Sequence, residues 1–555
     1  MRPLLVAAVV ALLPLTIGAA PPAALFTPAE KAAAASITAA RLRAHIRYLA
    51  DDLLEGRGPG SRGDRLAQAY IATQMEAMGL EPAGENGSWY QPFDIIGVDT
   101  KNPATTLFRK GSNSVQLKYH DEFIASSGLQ QPEAKLEDAE LVFVGYGIVA
   151  PEHGWDDFKG VDMKGKVLVV MNNDPEDDPA LFAGKTRLYY GRWTYKYEQA
   201  ARTGAAGAII IHTTPSAGYG WQVIQTSWEG EQFGVPQEGA QLQVKGWVTE
   251  ESAKKLATLG GQDLDRLRAA AQKKDFKPVP LGVTWSIALQ NDVSRTKTAN
   301  VLGRLPGSDP VLSKEAVVYS AHHDHLGVKK DAKPGEDAIY NGAKDNASGV
   351  AALLTLAEAM RNLNPRPKRS IVFAAVAAEE QGLLGATYFA AHPTMPPGRM
   401  AANINIDGIN IFGRTKDIAM IGLGKSSLDG WIKQIVAAQG RTVVGDQFPD
   451  RGFFYRSDQF ALARIGVPAA YFDDGVEVIG KPAGWGKTQQ EKFEATDYHQ
   501  PSDELRDTWE LSGAVEDVQL DFYLGAKVAN DPKLPTWNAG DEFEGARKKA
   551  LAELK

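Results

Sequence analysis

The 555 residues include no cysteine. Disulfides, thiolate metal sites, a cysteine nucleophile and a lipidated N-terminal Cys are therefore excluded. Positive charge is outnumbered, with 60 Lys and Arg against 68 Asp and Glu and a formal net charge of -8. That argues against nucleic acid as a partner, since phosphate binding needs clustered Lys and Arg. Long apolar runs are missing after residues 4–17, so no later segment is apolar enough to cross a bilayer. Repeats and low-complexity blocks are absent beyond that first run. What is present, 44% hydrophobic and 23% charged residues, is the make-up of a soluble globular protein, and the length calls for two or three domains.

The N-terminus has the pattern of an export signal over 1–20. Arg2 precedes an apolar stretch interrupted by Pro14, and the small residues Gly18, Ala19 and Ala20 follow. This predicts a periplasmic or secreted protein with no stable membrane insertion once the signal is cleaved. Such compartments permit disulfides without requiring them. From Ile37 to about Met78 apolar residues recur at three- and four-residue steps, which predicts two helices split by the Gly- and Arg-rich turn at 55–60 and stopped at Gly79. Short Gly-, Val- and aromatic-rich strand patterns then follow, with one helix-to-strand unit at 197–212. We read 119–287 as a smaller α/β domain inserted into a host chain of 36–118 and 288–530. Residues 531–555 are polar and predict a solvated terminal helix or frayed tail.

The chemistry-bearing residues all lie after 300. The strand pattern 315–320 runs into AHHDHLG (321–327), where a site residue belongs in an α/β sheet. Of its three histidines, only His322 has a carboxylate two positions later, Asp324, to accept the second ring N–H. Asp345, in KDNASG (344–349), precedes an apolar helical face that Asn346 or Ser348 can cap, and Asp345 itself could be no more than a cap. A buried strand at 370–376 leads to the paired acids Glu379 and Glu380, one able to bind metal while the other faces substrate. Another strand ends at Asp407, and His499 sits between acids in DYHQPSD (497–503). His322, Asp345, Glu380, Asp407 and His499 suffice to hold two divalent cations with one carboxylate shared. Glu379 is then left to take a proton from water, which suggests hydrolysis by a two-metal centre.

AHHDHLG, KDNASG, AAEEQGLLG, NINIDG and DYHQPSD, in this order, resemble the co-catalytic zinc exopeptidase family. That family includes secreted bacterial leucyl-type aminopeptidases, aminopeptidase Y, glutamate carboxypeptidase and the transferrin receptor. The likeness extends to LADDLLEGRGPGSRG (49–63) and GSWYQPF (87–93), and the insertion resembles a protease-associated domain. The resemblance implies a three-layer α/β peptidase domain with a central mixed, mostly parallel sheet, plus that smaller β-rich domain. It implies two zinc ions per chain, with cobalt or manganese as substitutes: His322 and Asp407 on one, Glu380 and His499 on the other, Asp345 bridging. Glu379 would be the general base, Asp324 would orient His322, and the peptide after Asp345 would be cis. Tyr498, or alternatively Tyr455, would donate to the oxyanion. Gln459 stands where relatives more often have His.

The implied substrates are peptides. A carboxypeptidase needs an Arg for the substrate carboxylate, and the position from which glutamate carboxypeptidase supplies one aligns with Trp193 here. Arg192, Arg414 and Arg456 remain available. An aminopeptidase needs acids near the metals, and Glu379 and Asp407 supply them. We therefore expect a secreted di-zinc aminopeptidase. The alternatives are a glutamate-carboxypeptidase-like dipeptidase and, with all ligand types present, a much weaker receptor-like reading.

Overall fold

Three mostly apolar stretches organise the chain. Ala316–His322, Ser370–Val376 and Met400–Asn405 are buried at every position, as central strands covered on both faces must be. They run parallel with Ala316–His322 in the middle, His322 opposite Val376 on one side and Ser320 opposite Asn405 on the other. Ala469–Asp473 continues the parallel set, while Asp417–Met420 and the C-terminal part of Val279–Leu305 join antiparallel at either side. Ala39–Leu49, Arg62–Ala77, Ser348–Asn362 and Ser512–Asn530 contribute to the core on one face, and Leu384–Ala391 and Gln459–Arg464 to the core on the other. The expected α/β architecture, a mixed and mostly parallel sheet between helical layers, is what the chain adopts. The computed structural model describes residues 24–176, 181–329 and 332–554, so the signal expected at 1–20 lies outside the described residues. No helix among them is long and apolar enough to cross a membrane.

The helix pair near the N-terminus forms as its pattern predicts. Thr38 and Ser61 accept backbone N–H bonds at the two helix starts. The turn between them needs Gly56: it has φ +63, and a Cβ there would lie 2.3 Å from the Gly327 carbonyl oxygen. This close approach brings the turn against the segment that follows His322.

A second set of parallel strands, Glu133–Phe143, Val167–Met171, Gly207–His212 and Val244–Thr249, builds its own cores around Trp285 and Trp247. No linker separates it from the first sheet. Val279–Leu305 is a single strand of 27 residues that pairs with Glu133–Phe143, then Tyr90–Lys101, then Ser370–Val376. The boundary expected at 287/288 falls inside this strand, because the alternation of buried and exposed residues continues across it. The other expected boundary also shifts. Thr105–Lys110 and Asn113–Lys118, assigned to the host chain, pack into the second lobe, where Phe108 stacks on Trp285 and Leu117 is fully buried.

The last residues are not a solvated tail. Trp537, Phe543 and Ala550 are buried, and the buried Arg547 donates to the Met400 carbonyl at 2.9 Å. A few apolar anchors dock a segment whose average composition is polar. Trp537 and Phe543 belong to an aromatic seam that joins Tyr189, Tyr190 and Tyr195 of the second lobe to Phe454, Tyr455 and Phe460 of the first.

Trp247→Ala should lower stability by roughly 3–5 kcal/mol, the cost of emptying a packed aromatic site. Chemical denaturation followed by fluorescence measures this. A loss under about 1 kcal/mol would contradict a separate, well-packed second core.

Candidate metal centre

Side chains from three adjacent parallel strands meet at their carboxyl ends. His322 closes the central strand, Glu379 and Glu380 follow Val376 by a short turn, and Asp407 lies two residues past Asn405. Asp345 reaches the same point from the turn before Ser348–Asn362, and His499 from the loop after Trp485–Thr496. All five residues expected as ligands, and Glu379 with them, come together.

Asp345 lies between the two imidazoles. Its Oδ1 is 3.2 Å from His322 Nε2, and its Oδ2 is 3.2 Å from His499 Nε2. His322 Nε2 is also 3.2 Å from Asp407 Oδ1, and His499 Nε2 is 3.0 Å from Glu380 Oε2. Glu379 Oε2 stands further off, 4.0 Å from His322 Nε2. Despite this crowding, His499 Nε2 is buried and has no hydrogen-bond partner. A nitrogen facing two carboxylates, in a set composed only of N and O donors, fits the binding of a divalent cation.

The neighbours of these groups fix the backbone. Asp503 accepts from the Lys344 and Asp345 amides at 3.0 Å each. Asn346 accepts from Gly349 N, capping the helix as anticipated, and from Gly408 N, both at 2.9 Å, so one amide side chain ties the Asp345 turn to the Asp407 strand end. The Asp345–Asn346 peptide is cis. Ser457 Oγ donates to Asp407 Oδ2 at 2.5 Å. Arg57 is fully buried and donates to the carbonyls of His323, Leu49, Asn341 and Gly342, which pins the segments carrying His322 and Asp345 to the glycine-rich turn.

Three details differ from the sequence reading. Asp324 Oδ1 lies 3.7 Å from His322 Nδ1, too far for a hydrogen bond, and the ring nitrogen instead meets the Asp324 main-chain oxygen at 3.3 Å. The Asp324 carboxylate accepts from the Glu379 and Glu380 amides at 3.0 and 3.3 Å, so it holds the acidic turn. His323 is set apart as anticipated, bonded to Asp64 at 3.0 Å, but His325 is not, because its Nδ1 lies 2.6 Å from Glu380 Oε1. Tyr455 is occupied, donating to Glu542 at 2.5 Å. Tyr498 stacks on the His499 ring, with 3.9 Å between ring centroids. Arg57, Asp503 and His325 were given no role from sequence. All three lie within the motifs at 49–63, 321–327 and 497–503, but only the folded chain shows what they touch.

Burial and charge divide the titrating groups. Burial lifts Glu379 well above the usual carboxylate range; Asp407, Asp458 and Glu380 add to the lift, against the pull of His322. Burial opposes ionisation of Asp345 too, but the His322 and His499 imidazoles outweigh it and hold the group well below that range. His499 is raised to about 10: burial lowers it, but Asp345 and Glu380 more than compensate. The two neighbouring acids thus shift in opposite directions, Glu379 upward by burial and Asp345 downward by the imidazoles beside it. The cleft in front of the cluster measures about 620 Å³ and is bordered by Asp345, Glu379, Asp407, Tyr471 and Tyr498.

Residues 300–523 match the model of Peptidase family M28. The chain is 30% identical over 177 residues to Aminopeptidase NAALADL1 of Mus musculus, covering 28% of this chain and 22% of that protein. It is 27% identical over 330 residues to Leucine aminopeptidase 2 of Trichophyton rubrum, 57% of each. The chain thus spans between about a fifth and somewhat over half the length of these curated relatives. Among solved structures, the aminopeptidase from Aneurinibacillus sp. strain AM-1 aligns with a TM-score of 0.47 at 19% identity, over 91% of this chain and 97% of that one. A zinc aminopeptidase from Bacillus subtilis aligns at 0.41 and 16%, over 91% and 98%.

Asp324→Asn keeps the shape but leaves only one oxygen for two amide donors. It should weaken divalent-cation binding on the order of 10- to 100-fold, measured by competition with a chromophoric chelator. Unchanged affinity would remove Asp324 from support of the acidic turn.

Proposed function

We propose that this chain, whose residues 300–523 match Peptidase family M28, is a zinc metallo-aminopeptidase that releases N-terminal residues from peptides with Glu379 as general base. The observation that carries the reading is Asp345, which offers one oxygen to each imidazole while Glu379 stays unshared at the cleft. His322 and Asp407 would hold one zinc ion, Glu380 and His499 a second, with Asp345 common to both; cobalt or manganese would substitute. Bound there, zinc supplies Lewis acidity toward the peptide carbonyl and makes a water acidic enough to lose a proton near neutral pH.

The remaining work falls to the side chains. Glu379 takes the proton of the attacking water on its carboxylate and returns it to the leaving amine nitrogen. The Asp324 bond to its amide sets its position. The Tyr498 hydroxyl, at the cleft edge, donates to the oxyanion as charge develops. Glu379 and Asp407 hold the free ammonium of the substrate. Arg414 does not compete for a substrate carboxylate from the position expected of it, because Glu516 holds it through two bonds of 3.2 and 2.8 Å. The second lobe, read as a protease-associated insertion, is anchored by its aromatic seam to the turn that carries Tyr455. The run at 1–20 supports export to the periplasm or medium.

An amino-acyl chromogenic amide should be hydrolysed and an N-blocked acidic dipeptide should not. Cleavage of the blocked peptide alone would contradict the aminopeptidase reading. Glu379→Gln should retain metal and lose on the order of 10²- to 10⁴-fold in kcat. Full turnover by that variant would take the base role away from Glu379.

A further inference from the structure

His325 touches the metal centre without being among its five expected ligands. It is fully buried, and its Nδ1 lies 2.6 Å from Glu380 Oε1. A carboxylate only accepts hydrogen bonds, so Nδ1 carries the proton of this one. The other ring nitrogen, Nε2, is buried without a hydrogen-bond partner. An apolar side chain would fill the same space without stranding a polar atom, so packing alone does not account for a histidine here.

The ring is closely packed against the centre. At Gly342, which has φ +55, a Cβ would lie 2.6 Å from both His325 Cγ and His325 Cδ2, and 2.3 Å from the Asp345 carbonyl oxygen. Glycine there lets the imidazole lie against the backbone that leads to Asp345. The His499 ring meets it edge to face, with 5.7 Å between centroids. Each oxygen of Glu380 therefore has its own neighbour: Oε1 has His325, and Oε2 lies 3.0 Å from His499 Nε2. Asp407 is divided in the same way, with Oδ2 taken by the Ser457 hydroxyl and Oδ1 3.2 Å from His322 Nε2. In both carboxylates an outer donor fixes one oxygen and leaves the other to face an imidazole and a cation. The donor is a hydroxyl for Asp407 and a ring N–H for Glu380. His325 also follows His322 by three residues, so one short segment carries a ligand of one site and a support of the other.

We propose that His325 is the positioning residue of the second metal site: its Nδ1–H holds Glu380 Oε1, so that Oε2 is presented together with His499 Nε2 to one ion. This rests on the reading of Glu380 and His499 as the ligands of a second ion. In the test, the zinc-loaded protein is titrated with a chromophoric chelator and the departure of each ion is followed. His325→Phe keeps a ring and lacks the donor, whereas His325→Asn lacks the ring and keeps an N–H near the place of Nδ1. The Phe variant should hold one ion about 10- to 100-fold more weakly, the one that His499→Ala lacks, and the other within about threefold. The Asn variant should hold both within about threefold of the unaltered protein. If the larger ring prevents folding beside Gly342, His325→Leu, also without a donor, takes its place. Unchanged affinity in the donor-free variant overturns the proposal. So does an equal loss in the Asn variant, because the ring itself, by packing or by binding the ion directly, would then be what matters. Equal weakening of both ions overturns it too, since His325 would then support the whole 322–325 segment. Each of these failures leaves the two-ion reading standing. An unaltered protein that binds fewer than two zinc ions overturns that reading and the proposal with it.

Discussion

Four carboxylates, Asp345, Glu379, Glu380 and Asp407, gather around three imidazoles, His322, His325 and His499, near the ends of three buried strands. Like charges this close repel strongly where water is scarce, and the surroundings must hold them in place in spite of it. That constraint accounts for much of the nearby structure. Asp324 fixes the amides of Glu379 and Glu380, Asp503 fixes those of Lys344 and Asp345, and Ser457 fixes a free oxygen of Asp407. Arg57 brings a buried positive charge beneath the cluster without an ion pair to any one acid, spending its donors on backbone carbonyls. A divalent cation would offset this charge, and the Nε2 of His499, which has no hydrogen-bond partner, is free to meet it.

The fold gives each group a rigid support. His322 ends a strand hydrogen-bonded on both sides, so its ring is placed by the middle of the sheet rather than by a loop. His499 depends on a looser element, yet it has φ +57, a backbone state that a non-glycine residue keeps only when neighbours enforce it. Bonds from Asp503 to the Asp345 turn close that loop onto the cluster. Farther out, Glu542 accepts from Tyr455, from Lys425 and from the Tyr189 amide, so the C-terminal segment joins both lobes behind the site.

Much of this was legible in the sequence where the signal is local. An apolar run followed at once by His322, Glu379 or Asp407 announces both a central strand and what stands at its end. Asp345 before an amphipathic helix is nearly as plain, although geometry was needed to lift it above a simple cap. The parts that were missed depend on distant partners. Nothing near Arg57 says that its guanidinium will meet carbonyls at 323, 341 and 342, and nothing near 108 says that Phe108 will stack on Trp285. Val279–Leu305 crosses an expected boundary because strand alternation is indifferent to which lobe a residue serves. The docked C-terminus was hidden by averaging, since three buried apolar residues among many charged ones still read as polar.

We propose that Asp345 is shared by two metal ions. The direct measurement is elemental analysis of the purified, dialysed protein beside its Asp345→Asn variant, with folding of both checked by circular dichroism. The unaltered protein should hold two divalent ions per chain and the variant should lose both, because one carboxylate serves each. A protein that holds one ion or none after zinc loading, or a variant that keeps two, would contradict it.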